Sequence, residues 1–276
     1  MHRMKTFLLM TSLTLVFIVL GGMIAGENGM IMAFGFALVL NFFSYWYSDK
    51  IAIKMTRSQP LSEKEAPEVY KIVRRLSNKA KIPMPDIYLT PSQQPNAFAT
   101  GRNPANAAVA VTKGIIQLLD EKELEGVIAH ELAHVKNRDT LISTIAAVMA
   151  GALAMLARIG RFRMLFGGRR RNGGGLIQLV ALIFAPLAAI VIKMAISRSR
   201  EYLADEGGAR ISGNPEALAS ALQKMQNYTR GGEMKVNEAA AHMFILNPLS
   251  REGMSRLFSS HPPTNDRIKK LRNLKV

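Results

Sequence analysis

Ala129-His130-Glu131-Leu132-Ala133-His134 is the segment on which the reading of the whole chain turns. It sits inside a stretch from about Glu121 to Asn137. Asp120, with Glu123 three residues on, precedes that stretch in the pattern of a helix N-cap and its box partner. In a helix, positions i and i+4 stand one above the other, so His130 and His134 present two imidazoles that can grip one zinc ion. Glu131 projects about 100° away at 3.6 residues per turn, toward a water beside the metal rather than the metal itself. A catalytic zinc takes a third protein ligand and keeps one position open. The chain has no cysteine, and only His2, His242 and His261 remain as further histidines. A carboxylate is the other route. Glu201 and Asp205 lie at i and i+4 in Arg198-Ser199-Arg200-Glu201-Tyr202-Leu203-Ala204-Asp205 and share a helix face. Glu201 can ligate, and Asp205 can accept the other ring N–H of a ligand histidine and fix its tautomer. An ordinary solvated acidic pair has the same spacing, so the histidine pair is what gives Glu201 and Asp205 this meaning.

Outward from this segment the chain is apolar in blocks. Of 276 residues, 49% are hydrophobic but only 7% aromatic, so the apolar bulk is aliphatic, and the apolar content excludes a disordered chain. The absence of cysteine excludes a disulfide scaffold and thiolate catalysis. No charged residue lies between Lys5 and Glu27, and Phe7 to Ala25 is almost wholly apolar. A second uncharged stretch follows at once, Asn28 to Ser48, ending in Tyr45, Trp46 and Tyr47, rings suited to a water–lipid boundary. This reads as two spanning helices joined by a short acidic loop at Glu27. Arg3 and Lys5 precede the pair and Lys50, Lys54 and Arg57 follow it, while the loop holds no Lys or Arg. Both outer flanks are therefore expected in the cytoplasm. The net charge of +16 fits an anionic membrane surface, and no nucleic-acid partner is expected.

Between residues 51 and 140 the pattern is soluble and mixed. Val69, Ile72, Val73 and Leu76 recur at helical spacing. Three β-like runs follow, Ile87–Leu89, Ala97–Thr100 and Ala107–Val111, with Pro, Asn and Gly between them. A third apolar run, Thr140 to Ala157, leads into a linker with six arginines (Arg158, Arg161, Arg163, Arg169, Arg170 and Arg171), and a fourth run covers Leu176 to Ile192. Length allows both runs to span. The linker arginines oppose this, because spanning would send them to the outer side, so the alternative is a hairpin dipping into the membrane or packing on the domain. Either way the chain returns to the side it left. In the tail, Asn214-Pro215 is a helix start, and Leu218, Leu222 and Met225 mark a buried face. The expected units are a membrane hairpin at 1–50, the first part of the catalytic domain at 51–140, a second hydrophobic hairpin at 141–196, and the rest of the catalytic domain at 197–276.

His130-Glu131-x-x-His134, Arg200-Glu201-x-x-Ala204-Asp205 and Ser260-His261-Pro262-Pro263-Thr264-x-x-Arg267, in this order and membrane frame, resemble the HtpX family. These are bacterial heat-shock membrane metalloproteases related to the CAAX prenyl proteases. The resemblance covers nearly the whole chain, including Asn96-Ala97-Phe98-Ala99-Thr100-Gly101. It implies a mainly α fold with a small β-sheet, an integral membrane protein of two to four transmembrane helices with a cytoplasmic gluzincin-like protease domain, and residence in the bacterial inner membrane. It implies one Zn2+ per chain on His130, His134 and Glu201, with Glu131 as general base. The strand of Asn96, Ala97, Phe98 and Ala99 would line the cleft, where its free edge can pair with an extended substrate. His261 and Arg267 match the family motif near the active site, where a donor could stabilise the oxyanion.

The expected reaction is peptide-bond hydrolysis with no covalent intermediate. At 1.5 Å per residue, His134 and Glu201 lie about 10–15 Å from the apolar runs, so the site is expected near the membrane surface. Misfolded or damaged membrane proteins and unfolded polypeptides are the natural substrates, and the linker arginines can meet anionic headgroups. Two other readings compete. A non-enzymatic membrane scaffold with structural zinc would need a closed set of four ligands, and only three candidates converge. A processing protease of CAAX type would want a large intramembrane chamber, for which four apolar runs are few.

Overall fold

A computed structural model describes residues 2–149, 198–229, 245 and 262–276. Apolar run four, the arginine-rich linker, residues 150–157 of run three, His242 and His261 lie outside the described residues.

The first two apolar runs form one helical stretch, α1 (His2–Trp46), broken at Ala25 and Gly26, where Gly26 takes φ +58°. The break folds the chain into a hairpin. A Cβ at Gly21 would meet the Gly29 carbonyl oxygen at 2.3 Å, so the two arms touch backbone to backbone there. Further along, Asn41 Nδ2 donates to Thr14 Oγ1 at 2.8 Å, and the Phe17 and Phe36 rings meet edge to face at 5.6 Å. The turn thus falls at Ala25–Gly26, just before Glu27, because glycine alone takes this backbone conformation without a steric cost. Ala25–Trp46, with 22 residues, is long and apolar enough to cross a membrane, and Thr6–Gly22 is a shorter apolar arm. Much of the hairpin's apolar surface faces outward, with Phe7, Val19, Ile31 and Met32 all exposed.

A short helix, α2 (Ser48–Met55), leads from the hairpin into a four-stranded sheet. Its strands are β1 (Gln59–Pro60), β2 (Asp86–Thr90), β3 (Ala97–Asn103) and β4 (Asn106–Thr112), in the order β1-β2-β4-β3. The second and third β-like runs, β3 and β4, pair as an antiparallel hairpin, with Ala99 opposite Val109. Less expected is that β2 runs parallel to β4, Ile87 opposite Val109, while β1 pairs antiparallel with β2. The sheet is therefore mixed, with β1 and β3 at its two edges.

Period-two alternation sorts the strand residues onto two covered faces. Ala97, Ala99, Val109 and Val111 pack with α3 (Pro67–Ala80) and α5 (Glu121–Asn137). Phe98 and Ala110 point the other way, onto Ala52 of α2 and Ala147 of the apolar helix α6, described from Thr140 to Met149. Covering on both faces explains why these strands read as nearly continuous apolar runs. α6 also packs into the N-terminal hairpin through Leu141, Ile142, Ile145 and Met149 against Leu9, Leu13 and Phe17. Four more helices complete the described fold: α4 (Lys113–Leu118), between β4 and α5, then α7 (Arg198–Ser212), α8 (Pro215–Thr229) and α9 (Thr264–Arg272). The architecture is mainly helical with one small mixed sheet.

The start of α5 is closed as the sequence indicated. Asp120 accepts from the Glu123 N–H at 2.9 Å, and Glu123 returns the bond to the Asp120 N–H at 3.1 Å. The buried Glu123 also accepts from Ser220 Oγ at 2.6 Å and Lys224 Nζ at 2.7 Å, tying α8 to the first turn of α5. The Asn214 side chain accepts from the Ala217 N–H at 3.1 Å and caps α8.

Candidate metal centre

α5 is buried along most of its length because β3, α3, α7 and α8 all pack against it. Val127, Ile128 and Leu132 face the core, and His130 and Glu131 are almost wholly enclosed. Burial of two charged or chargeable groups is costly unless they are partnered, and both are.

α7 supplies the partners. It can come close because two glycines face α5. A Cβ at Gly208 would stand 2.8 Å from the His130 backbone nitrogen and Cα, and one at Gly207 would stand 3.0 Å from Ala133 Cβ. This approach brings Glu201 and Asp205, one turn apart, over the two imidazoles. Glu201 Oε1 lies 3.5 Å from His134 Nε2, and Oε2 lies 3.9 Å from His130 Nε2. Ligand atoms of His130, His134 and Glu201 all fall within 4.8 Å of one another. The two rings stand nearly perpendicular, 89° between planes.

The outer ring nitrogens are held by carboxylates. His130 Nδ1 is 2.9 Å from Asp205 Oδ1, and His134 Nδ1 is 3.5 Å from Asp139 Oδ2. In the neutral ring a proton held on Nδ1 leaves Nε2, the nitrogen on the Glu201 side, free to ligate a metal. Two imidazoles and a carboxylate converging in this way, each ring oriented from behind, make a donor set that fits zinc. The residues present therefore fit the metal that the histidine spacing implies.

Electrostatics follow from the same packing. Burial pushes the Glu131 carboxyl above the usual range, moderated by His130 and His134 and by a hydrogen bond from the Ala99 N–H. Burial disfavours the charged form of His134, but the Asp139 hydrogen bond and the charges of Glu201, Glu131 and Asp139 outweigh it and push the group up to about 9. For Asp205, burial opposes ionisation, yet the Arg267 charge and the bond from His130 prevail and hold it below the usual carboxylate range.

Arg267, expected from the sequence as a donor to the reacting oxygen, sits behind the metal set, with Nη2 3.5 Å from His130 Nε2. It is fully buried. Its Nε and Nη2 donate to the two Asp205 oxygens at 2.9 and 2.7 Å, and Nη1 donates to the Ile245 carbonyl at 3.2 Å. Glu201 Oε2 lies 3.6 Å from Nη1. The guanidinium braces the carboxylate behind His130, a fork geometry that lysine could not reproduce.

β3 runs beside the site. The Asn96 side chain closes the strand's start by accepting from the Ala97 N–H at 3.1 Å, and the Phe98 side chain is buried on the α2 and α6 side. Along the outer edge, the Ala97 carbonyl accepts from the Ile245 N–H at 3.1 Å, the Ala99 N–H faces Glu131, and the Gly101 carbonyl accepts from Thr140 Oγ1 at 2.9 Å. Asp139 lies five residues past His134 in the sequence, where the spacing alone allows a group behind the metal ligand or at the helix end. Its place on His134 comes from the left-handed turn at Arg138, φ 58°, which swings the chain back over the end of α5.

With this geometry in view, likeness to other proteins is specific. The Peptidase family M48 pattern matches residues 63–275. A Protease HtpX homolog from Pelotomaculum thermopropionicum is 53% identical across 100% of both chains, and one from Syntrophobacter fumaroxidans is 52% identical across 99% of each. The crystal structure of S. mikatae Ste24p shares the fold, with a TM-score of 0.51 at 20% identity, covering 87% of this chain and 57% of that one. The chain belongs to peptidase family M48, as a membrane-associated metalloprotease among the HtpX protease homologs.

Proposed function

We propose that the metalloprotease activity of this chain is carried by one Zn2+ on His130, His134 and Glu201, with Glu131 as general base, acting on unfolded or damaged membrane proteins. The observation that carries the proposal is the convergence of three ligand atoms within 4.8 Å, with the Glu131 carboxyl enclosed beside them.

Zinc, when bound, polarises the scissile carbonyl and makes water acidic enough to attack at neutral pH. The protein's own groups do the rest. Glu131, with its proton affinity raised by burial, takes a proton from the attacking water and passes it to the departing amine nitrogen. The Ala99 N–H fixes the carboxylate for that transfer. Asp205, braced by Arg267, keeps the His130 proton on Nδ1. In this reading Arg267 is a positioning residue and acts through Asp205. His261 remains our candidate donor to the developing oxyanion. An extended substrate adds to the outer edge of β3 near Ala99, where backbone bonding tolerates many sequences. Asn96 and Phe98 support that edge from inside the sheet, Ala97 anchors it through Ile245, and Ala99 presents it.

The substrate class follows from placement. α6 begins at Thr140, directly after the metal helix, and packs on a hairpin whose Ala25–Trp46 arm is long and apolar enough to cross a membrane. The site therefore lies close to the bilayer. Basic residues flank the hairpin at Arg3, Lys5, Lys50 and Lys54, which supports a multi-pass inner-membrane protein with residues 51–140 and 197–276 joined in one cytoplasmic catalytic domain. Casein cleavage by the full chain in detergent tests the proposal. We expect loss of activity with a chelator, recovery with Zn2+, and no activity in a zinc-loaded Glu131→Ala variant. Chelator-resistant cleavage, or an active Glu131→Ala variant, would refute it.

A further inference from the structure

The two imidazoles of the metal centre are oriented from behind by different devices. His130 leans on Asp205, a residue of the ligand helix α7. His134 leans on Asp139, which lies between α5 and α6. Asp139 is buried, with Oδ2 3.5 Å from His134 Nδ1. Its backbone is committed on both sides: its N–H donates to the His134 carbonyl at 3.0 Å, and its carbonyl accepts the first helical bond of α6, from the Ser143 N–H at 3.4 Å. The next residues are pinned to the sheet. Thr140 Oγ1 donates to the Gly101 carbonyl at 2.9 Å, and Thr144 Oγ1 meets Thr100 Oγ1 at 2.9 Å. Arg200, buried on α7, adds a positive charge that acts on Asp139 and Glu201 alike.

We infer that Asp139 is a positioning residue for His134: its carboxylate holds the Nδ1 proton and so presents Nε2 to the metal. The argument rests on the metal set proposed above and goes beyond it. A carboxylate behind a ligand imidazole fixes ring and tautomer, and its loss typically weakens metal binding about 10–100-fold. Asp139 does this from the residue immediately before the apolar helix that packs on the membrane hairpin. One side chain thus joins the metal ligand to the membrane-facing part of the fold.

A purely structural role for Asp139 is separable, because Asn and Ser cap a helix about as well as Asp. Asp139→Asn and Asp139→Ser therefore leave α6 with an adequate start and remove only the charge behind His134. The experiment is Zn2+ affinity of the full chain in detergent, by competition with a chromogenic chelator, with far-UV circular dichroism alongside and His134→Ala as control. We expect tight binding in the wild type, its loss in His134→Ala, and a decrease of about 10–100-fold in both Asp139 variants with unchanged helicity. Wild-type affinity in the Asp139 variants, with His134→Ala still defective, overturns this inference and leaves the metal set standing. Unchanged affinity in His134→Ala overturns both. If the Asp139 variants do not fold, imidazole 15N spectra of zinc-loaded wild type decide: His134 protonated at Nδ1 supports the assignment, and protonation at Nε2 overturns it.

Discussion

Arg267 grips Asp205 through two parallel hydrogen bonds, 2.9 and 2.7 Å long, in a place neither side chain shares with solvent. This pair joins α9, near the chain's end, to the helix that carries Glu201. Removing one member of a buried pair leaves the other charge uncompensated, at a cost of about 3–5 kcal/mol. Arg267→Met should therefore lower stability by that order in chemical denaturation, and it should weaken metal binding as well, since Asp205 loses the partner that fixes it behind His130. Arg267→Lys, which keeps the charge without the fork, should recover only part of either loss. Wild-type stability in Arg267→Met would show the pair to be dispensable.

Gly208 carries a second expectation. An alanine there would set its Cβ 2.8 Å from the His130 backbone, and backbone cannot swing aside as a long side chain can. Gly208→Ala should push α7 away from α5, destabilise by about 1–3 kcal/mol, and reduce zinc occupancy, because Glu201 rides on α7. Gly213→Ala is the useful contrast: nothing lies within 4 Å of its Cβ, but its φ of +79° strains any side chain, so it should lower the melting temperature without changing zinc content. Equal zinc occupancy in both variants would refute the helix-approach argument.

The pH dependence of metal uptake follows from His134. In the metal-free chain this group titrates at about 9, raised from 6.5. Its contribution to the stability of the metal-free fold is fully present below about 6.5 and is lost as pH rises through 9. A metal requires the neutral ring, so binding in that window must expel a proton from His134. Zinc affinity should rise with pH from 6.5 toward 9, by up to about tenfold per pH unit from this group, and calorimetry in buffers of different ionisation enthalpy should show net proton release. Proton-neutral binding at pH 7.5 would contradict the assignment of His134.

Glu131 is tested by a conservative change. Glu131→Gln keeps the shape and removes the base. It should lower kcat by about 10²–10⁴-fold, with zinc content unchanged, since the side chain faces the water rather than the metal. A similar loss accompanied by loss of zinc would make Glu131 a ligand instead.

Local pattern carried much of this protein. The capping box at Asp120 and Glu123, the helical spacing after Val69 and the alternating strand residues are properties of short segments, and each element stands where the sequence put it. The turn of the apolar hairpin was legible within two residues, since the break falls at Ala25–Gly26. What the sequence did not disclose depends on distant pairing. The parallel match of β2 with β4 skips over β3, and no local pattern encodes it. α2, only eight residues long, merges with the end of the second apolar run. The Gly207-Gly208 pair is a local signal of one distant contact: adjacent glycines inside a helix mark a close backbone approach. The motif around Arg267 points to a donor near the reaction, while the direction of its side chain depends on Asp205, a partner on another helix.

The most direct test of the account is the zinc stoichiometry of the purified full chain beside Glu201→Ala, measured by elemental analysis after removal of loosely bound metal. The account predicts close to one zinc per wild-type chain and near none in the variant, with both equally folded by circular dichroism. Equal zinc in the two proteins would mean that Glu201 does not complete the site begun by His130 and His134, and would contradict it.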